Sequence, residues 1–248
     1  MENPIKLGPY SGLVKNRIIR QDDYVDWRQF ELADGVAIVT NAGRKLISNE
    51  GRIMDLLKDL NDYRSSSHGR EISGTRNAIC NGGNGTVYSL GSRSIAIKES
   101  NSGHSLHSAL YRMDRLANVV ENNLPGWVSV VDHYALVTTR NEREFMLMEK
   151  IDNGVTIQDF ELFIEDGNAR FPWITNIIER DFPNVNKSDF LKMNEQRNQV
   201  IDHIKDYADQ NRERFTALLP DPNEANFLVT KLDRPIDGKK FKLWIIDQ

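Results

Sequence analysis

The chain has 248 residues, 39 % of them hydrophobic and 27 % charged, which allows one large domain or two small ones. Its formal net charge of −4 does not favour a general nucleic-acid binder, and its single cysteine, Cys80, excludes an intrachain disulfide and indicates a reducing compartment. No run of about 18 apolar residues predicts a membrane span, and the first residues lack the apolar segment of a secretory signal peptide.

Residues 1–75 are predicted to form an N-terminal extension. It contains a strand at Val36–Thr40 and a helix that begins after the capping residue Ser48. Apolar side chains recur at helical spacing as far as Tyr63. Residues 64–76 are rich in serine, glycine and arginine, which predicts a linker.

A glycine-rich segment follows the linker. Gly82, Gly83 and Gly85 come before two predicted strands, around Thr86–Leu90 and Ser94–Lys98. Glycines let backbone N–H groups approach a phosphate closely, but the same residues are typical of a plain hairpin turn. Lys98 ends an otherwise apolar strand, where it either reaches nucleotide phosphates or points into solvent.

The middle of the chain alternates between strands and helices. Residues 105–123 predict an amphipathic helix, and strand-like apolar runs follow within 127–139 and 143–154. Residues 155–218 are mostly helical, most clearly over Asp189–Leu218.

A β-hairpin is predicted at 227–246, with Asp237-Gly238 at its tip. The hairpin returns the chain to its start, so Asn226 and Asp247 are expected side by side. An amide oxygen and a carboxylate suit magnesium, which takes few ligands from protein. The alternative interpretation is a loop that the side chains of Asp221 and Asn226 hold through local hydrogen bonds, followed by a solvated aspartate.

Three upstream segments resemble motifs of the protein-kinase-like fold. "GGNGTVY" is similar to the loop that covers the phosphates, and "AIK" to the motif whose lysine holds the α- and β-phosphates. "FMLMEKIDNG" is similar to the hinge, with Met148 guarding the back pocket and Glu149 to Ile151 facing adenine. The resemblance implies an ATP site built from Gly82, Gly83, Gly85, Val87, Ala96, Lys98, Met148, Glu149 and Ile151.

Two downstream segments extend the resemblance to residues 76–248. "DPNEAN" keeps the spacing of the catalytic loop, which implies that Asp221 is the catalytic base and Asn226 a metal ligand. "IID" is similar to the strand and aspartate that bind Mg²⁺, and this gives Asp247 the second metal role. Lys98 is the other residue implied in catalysis, because it orients the phosphates. Each motif alone is weak, whereas their common order and spacing is fairly specific.

The fold implied by the resemblance is α+β and bilobal. Residues 76–148 are expected to form an N-lobe with a five-stranded antiparallel sheet. Residues 149–248 are expected to form a mostly helical, truncated C-lobe that ends at the magnesium-binding aspartate. This architecture is similar to the minimal kinases that some pathogenic bacteria inject into host cells, some of which need a host partner.

Several family positions carry another residue here. Cys80 replaces the first glycine of the phosphate loop, and Leu219-Pro220 replace the usual histidine and arginine. Asn223 replaces the lysine that neutralises the transferred phosphate. The helix glutamate that pairs with the lysine falls at Ala109, and Asp114 is the candidate substitute.

The expected function is ATP- and magnesium-dependent phosphorylation of serine or threonine on a protein. The architecture implies a bacterial effector of virulence, cytoplasmic in origin and secreted into a host cell, whose substrate is a host protein and which an activating partner could assist. A pseudokinase scaffold stays open, because Cys80, Asn223 and the missing glutamate favour it. A small-molecule kinase of the antibiotic-modifying type also stays open. Neither a nucleic-acid partner nor a membrane span is expected.

Overall fold

The computed structural model describes residues 27–32, 35–46, 78–82, 85–89, 95–100, 106–139, 144–219 and 221–246. The chain divides into two compact units, the first up to Leu110 together with Asp132–Lys150 and the second Tyr111–Val131 together with residues from Ile151 onward. The helix predicted after Ser48 and the linker at 64–76 lie outside the described residues.

Strands and helices are numbered along the chain. The strands are β1 (Arg28–Leu32), β2 (Gly35–Val39), β3 (Ala78–Gly82), β4 (Gly85–Ser89), β5 (Ile95–Ser100), β6 (Val128–Val130), β7 (His133–Thr139), β8 (Glu144–Glu149), β9 (Val155–Thr156), β10 (Phe227–Ile236) and β11 (Lys239–Ile245). The α-helices are α1 (Asn41–Leu46), α2 (Leu106–Asn123), α3 (Ile157–Asp166), α4 (Pro172–Asp181), α5 (Lys187–Gln210) and α6 (Phe215–Leu218).

One antiparallel sheet organises the first unit, with its strands in the order β1-β2-β7-β8-β5-β4-β3. The five strands β3, β4, β5, β8 and β7 are consecutive neighbours in it, so the prediction of a mixed α+β fold with an antiparallel sheet is confirmed. Strands β1 and β2 extend the sheet beyond β7, with Val36 paired to Thr138. The sheet therefore contains two strands more than the sequence predicted, both from the N-terminal extension.

Both faces of this sheet are covered. Ile95 and Ile97 pack with Phe145 and Leu147 on one face, and Ala42 of α1 lies against that cluster. On the other face, Met146 packs with side chains from the first turns of α2. Side chains alternate along a strand, so the residues of β5 divide between two apolar layers.

α1 is fixed tightly to β7. The hydroxyl of Thr40 donates to the backbone carbonyl of His133 at 2.5 Å, and it accepts from the N–H of Gly43 at 3.0 Å. A Cβ at Gly43 would lie 2.1 Å from the carbonyl oxygen of Tyr134. Only glycine allows the helix to approach the strand this closely.

The second unit combines helices with a small sheet of order β6-β11-β10-β9. Its core includes Phe227, Val229, Leu243 and Ile245, which are fully buried. The predicted β-hairpin is confirmed, with Phe227 paired to Ile245. Asp237 (φ 50°) and Gly238 (φ 76°) form its turn, and positive φ at both central residues matches the twist of the flanking strands.

The long helix predicted to end at Leu218 ends earlier. α5 begins at a capping box formed by Asn186 and Asp189 and stops at Gln210. Arg212 has a positive φ of 56°, so the chain leaves the helical conformation there. Phe215 fits the apolar spacing of the predicted helix, but it belongs to the separate short helix α6.

A buried ion pair holds the start of α3. The Arg170 guanidinium donates to both oxygens of Asp159, at 2.8 and 2.9 Å, and Asp159 is fully buried. Thr156 caps the helix and donates to Asp159 at 2.5 Å. Burial has the largest effect on the pKa of Asp159 and raises it, but the hydrogen bonds from Arg170 and Thr156 and the Arg170 charge outweigh burial and hold that pKa below its ordinary value.

Candidate functional site

The glycine-rich segment joins two paired strands. Gly82 of β3 pairs with Gly85 of β4, and only Gly83 and Asn84 separate them in the sequence. Gly83 lies outside the described residues. The segment is therefore the connection of a β-hairpin, and a hairpin connection is the local structure that both interpretations of these glycines require.

Four of the predicted nucleotide-binding residues lie on one face of the sheet. Val87 is paired with Lys98, and Ala96 is paired with Met148. Directly opposed residues present their side chains to the same face, as do residues two apart along a strand. The register therefore brings the side chains of Val87, Ala96, Lys98 and Met148 to the same face of the sheet.

Lys98 does not point into solvent. Only 2 % of the residue is exposed, so the alternative interpretation of a solvated lysine at a strand end is wrong. A buried ammonium is costly unless it is paired, and Lys98 is not without a partner. Glu99 pairs with Phe145 and so faces the other side of the sheet.

The helix position that the resemblance assigns to a glutamate carries a small apolar residue. Ala109 is 4 % exposed and lies on α2 among buried side chains. Asp114, the candidate substitute, is half-buried further along the same helix.

The predicted hinge begins in a buried strand and ends at a turn. Met148 is 6 % exposed, and the backbone N–H of Glu149 donates to the carbonyl of Asp132 at 2.7 Å. Burial, followed by the charges of Glu149 and Asp132, raises the pKa of Tyr134 to about 12. Ile151 is half-buried, and the chain passes from the first unit into the second at this residue.

Local hydrogen bonds fix the predicted catalytic loop. The carboxylate of Asp221 accepts from the N–H of Asn223 at 3.1 Å, and the side chain of Asn223 accepts from the N–H of Ala225 at 2.9 Å. The side-chain Nδ2 of Asn226 donates to the backbone carbonyl of Asp221 at 3.1 Å. These bonds bring Asp221 and Asn226 together and leave Asp221 exposed to solvent.

An ion pair that was not predicted from the sequence joins α5 to this loop. Glu224 accepts from Arg197 at 2.7 Å and from Asn194 at 3.2 Å. The Arg197 guanidinium also lies 5.8 Å from the ring centroid of the buried Phe227. Arg197 is 27 positions from Glu224, and no local pattern links two residues so far apart.

The hydrogen bonds of Asp221 and Asn226 are those that the alternative interpretation, a loop held by local hydrogen bonds, requires, and the role of Asn226 as a magnesium ligand stays a prediction. A backbone carbonyl accepts only from a donor, so Nδ2 must be the atom that faces Asp221, and Oδ1 is directed elsewhere. The N–H of Ile246 donates to the carbonyl of Asn226 at 3.0 Å. Asp247, the other predicted ligand, follows Ile246 in the sequence and lies outside the described residues.

An apolar neighbour of this loop was not predicted from the sequence. Leu228 lies in β10, which begins directly after the short helix that ends at Asn226. A Cβ at Gly154 would lie 3.1 Å from Leu228 Cδ1 and 3.2 Å from Ile151 Cγ2. The side chains of Leu228 and Ile151 therefore both lie beside Gly154.

The described part of the chain contains no group of three or more histidine, cysteine, aspartate or glutamate side chains that could hold a metal ion. Magnesium in nucleotide sites needs no such group, because phosphates and water supply most of its ligands. None of the described helices is both long and apolar enough to cross a membrane.

No protein-family model, curated protein or solved structure matches this chain.

Proposed function

We propose that the chain binds magnesium-ATP and transfers a phosphoryl group to serine or threonine of a protein substrate. The observation that carries this proposal is the buried Lys98, which shares a sheet face with Val87, Ala96 and Met148. Proteins rarely bury a lysine in an apolar strand for stability alone. A cation at that position can orient the phosphates of a nucleotide.

The loop from Asp221 to Asn226 supplies the rest of the chemistry in this proposal. Asp221 is exposed and positioned by local hydrogen bonds, so its carboxylate can accept a proton from a substrate hydroxyl. Asn226 Oδ1 and Asp247 would hold magnesium, which neutralises charge on the phosphates. The protein contributes mainly positioning and electrostatic stabilisation to such a transfer.

A second candidate function is a nucleotide-binding scaffold without phosphoryl transfer. Asn223, which stands where the resembled family has a lysine, directs its side-chain oxygen to the N–H of Ala225. It therefore caps the short helix at Glu224–Asn226 and brings no positive charge to a transferred phosphate. This observation favours a pseudokinase, with binding but no chemistry.

Two measurements on the full chain separate these candidates. The first is the melting temperature with and without magnesium-ATP, which we expect to rise. Ligand at about 100 times its dissociation constant adds about 2.7 kcal/mol to the free energy of unfolding. For a chain of this size that is on the order of 5 to 10 °C. A melting temperature that millimolar ATP leaves unchanged would contradict both candidates.

The second measurement is transfer of labelled phosphate to a generic protein and to host-cell lysate. Asp221→Ala should lower transfer roughly 10²–10⁴-fold, as expected for a lost general base, and keep most nucleotide binding. Lys98→Met should weaken both, since the lysine contacts the phosphates in the ground state and in the transition state. Nucleotide binding without transfer in the parent protein identifies the scaffold. Equal transfer by the parent and by Asp221→Ala would show that the catalytic loop is misassigned.

A further inference from the structure

A cavity of about 830 Å³ lies in the second unit, at the turn end of the β10–β11 hairpin. Its helical wall runs from Asp181 to Gln199, and its other wall is the hairpin from Lys231 to Phe241. We call this cavity the α5–β10 groove. Strands rise about 3.3 Å per residue, so Lys231 is about 16 Å along the strand from Asn226. The groove is therefore separate from the predicted catalytic loop.

The floor of the groove is apolar and belongs to the core. Phe182, Val185 and Phe241 line it and pack against the core cluster of the unit, and Met193 is 2 % exposed. The Phe182 ring also meets Phe160 edge-on, with centroids 4.9 Å apart. A floor held in this way keeps its shape and offers an apolar side chain a fixed surface.

The side-chain oxygen of a buried glutamine in the groove has no hydrogen-bond partner among the residues that the structure describes. Gln196 lines the cavity and is 7 % exposed, and its Oε1 accepts no hydrogen bond from any residue in the described ranges. Buried side-chain polar atoms are usually satisfied by protein or water. A glutamine amide can accept from a backbone N–H and donate to a backbone C=O, which are the groups that a peptide presents.

Of the three carboxylates in the helical wall, those of Asp181 and Asp189 have cationic partners, and the third, Glu195, is exposed. Two nitrogens of Arg180 donate to Asp181, at 2.8 and 2.6 Å. These hydrogen bonds, with a further contribution from the Lys231 charge, hold the pKa of Asp181 below its ordinary value. Lys192 lies 3.8 Å from Asp189, which also closes the capping box of α5.

The hairpin wall carries an excess of positive charge. Lys231, Lys239 and Lys240 all line the groove, and the hairpin contributes no carboxylate to this lining. Lys239 lies 5.3 Å from the ring centroid of Trp127, and Lys240 is exposed. Because two of the three opposing carboxylates are already paired, the three hairpin lysines outnumber the remaining carboxylate and favour an occupant that brings acidic groups.

The edge of β10 does not suit the addition of a continuous strand. β9 pairs only with Leu228 and Val229, so the edge beyond them has no strand partner in the described part of the chain. However, the register shifts between Lys231 and Ile236, and Pro235 has no N–H to donate. Bulges, prolines and lysines are the features that block edge-to-edge pairing. An occupant must therefore bind mainly through its side chains.

We propose that the α5–β10 groove docks a short, extended, acidic segment of a partner protein, with one large apolar side chain flanked by carboxylates. The apolar side chain covers the floor, the carboxylates meet Lys231 and Lys240, and a backbone N–H reaches Gln196. The lining stretch of α5 from Asp189 to Gln199 is about 15 Å long, which matches four or five extended residues. This inference goes beyond the proposed phosphoryl transfer and does not depend on it.

Selection from random heptapeptides displayed on phage tests the proposal without a prior choice of sequence. With the immobilised full chain we expect enrichment of peptides that carry an aromatic or large aliphatic residue flanked by aspartate or glutamate. Selection on the double variant Lys231→Glu/Lys240→Glu should lose that motif. A basic motif, the same motif on both proteins, or no enrichment over an empty surface would each overturn the proposal.

Fluorescence anisotropy with the most enriched peptide then locates the binding site. The double variant should bind at least tenfold more weakly, and binding to the parent should weaken as salt rises. Lys205→Glu is the matched control, because Lys205 lies on α5 almost opposite the groove-lining side chains and should leave affinity unchanged. Equal affinity of the parent and the double variant would contradict the assignment of the lysines.

Gln196→Leu separates docking from a structural role. The substitution removes a buried amide oxygen that has no hydrogen-bond partner among the described residues, so we expect the melting temperature to stay the same or rise. Peptide affinity should nevertheless fall severalfold, because the backbone N–H of the peptide loses its acceptor. Unchanged peptide affinity in this folded variant would overturn the role of Gln196 in the groove.

Discussion

The side-chain amide of Asn226 donates a hydrogen bond to the backbone carbonyl of Asp221, with the nitrogen and oxygen 3.1 Å apart. The two residues enclose a loop in which the side chain of Asn223 also bonds to the backbone. Asp221 therefore holds the side-chain amide of Asn226, and this fixes the direction of the amide oxygen.

Asn226→Ala should remove the magnesium dependence of nucleotide binding. The variant loses both the proposed ligand oxygen and the bond that orients the loop, so the rise in melting temperature with magnesium-ATP should shrink to that with ATP alone. Asn122→Ala is the control, since that side chain bonds only to Asn118 on the exposed face of α2. An undiminished magnesium effect in Asn226→Ala would show that this asparagine is not a ligand.

Asp159 stabilises the parent protein more as pH rises, and we expect the substitution Arg170→Met to reverse this dependence. In the parent, the pKa of Asp159 is below its ordinary value of 3.8, so its stabilising contribution is present above that pH and is lost below it. Without Arg170, burial dominates and raises the pKa, so the variant becomes less stable as pH rises. We expect the free energy of unfolding of the variant to be about 3–5 kcal/mol below that of the parent near neutral pH. This difference should become smaller as the pH is lowered.

The measurement for this prediction is urea denaturation of parent and variant across the acidic range. Arg180→Met is the matched control, because Arg180 also binds an aspartate through two nitrogens but is exposed at the surface. Exposed ion pairs contribute little to stability. A deficit for Arg170→Met that does not change with pH would contradict the buried pair as its cause.

Tyr134→Phe should protect the protein at alkaline pH. The pKa of Tyr134 is raised to about 12, mainly by burial, so the unfolded chain loses the phenolic proton first as pH rises above 10. The free energy of unfolding of the parent should therefore fall by about 1–3 kcal/mol relative to that of the variant between about pH 10 and 12. Urea denaturation of both proteins over that range measures the difference, and Tyr207→Phe on α5 is the control. Parallel stability curves for parent and Tyr134→Phe would contradict the prediction.

Gly43→Ala should destabilise the first unit. The new Cβ would lie 2.1 Å from the backbone oxygen of Tyr134, and neither α1 nor β7 can move without breaking the hydrogen bonds of Thr40. Overpacking of this kind costs about 1–3 kcal/mol or more. Gly126→Ala is the control, because its Cβ would meet only Ile236 Cγ2, at 3.8 Å. Chemical denaturation compares the two, and equal stability would contradict the close approach of α1 to β7.

Features with a local cause could be predicted from the sequence. The helix at Leu106–Asn123 follows from apolar spacing, and the hairpin turn at Asp237-Gly238 follows from its two residue types. The return of the chain to Asn226 follows in turn from the hairpin, and the Ile246 N–H confirms it.

Features that depend on distant pairing could not be predicted. The strands β1 and β2 join the sheet through β7, about a hundred positions away, and no period in the sequence encodes that partner. The burial of Lys98 has the same origin, because a strand-end lysine is exposed or buried according to what covers the sheet. Arg197 and Glu224 meet only once α5 is packed beside the loop.

The Thr40 hydroxyl bonds to a carbonyl 93 positions further along the chain, whereas the β10–β11 hairpin closes across a turn of two residues. The entropic cost of closing a loop grows with the logarithm of its length. Closing the loop between Thr40 and His133 therefore costs about 3 kcal/mol more than closing the hairpin. Hairpins form within about 1–10 μs, and non-local sheets form far more slowly. The end of the chain that carries Asn226 can therefore acquire its native pairing early, while closure of the sheet around Lys98 sets the folding rate.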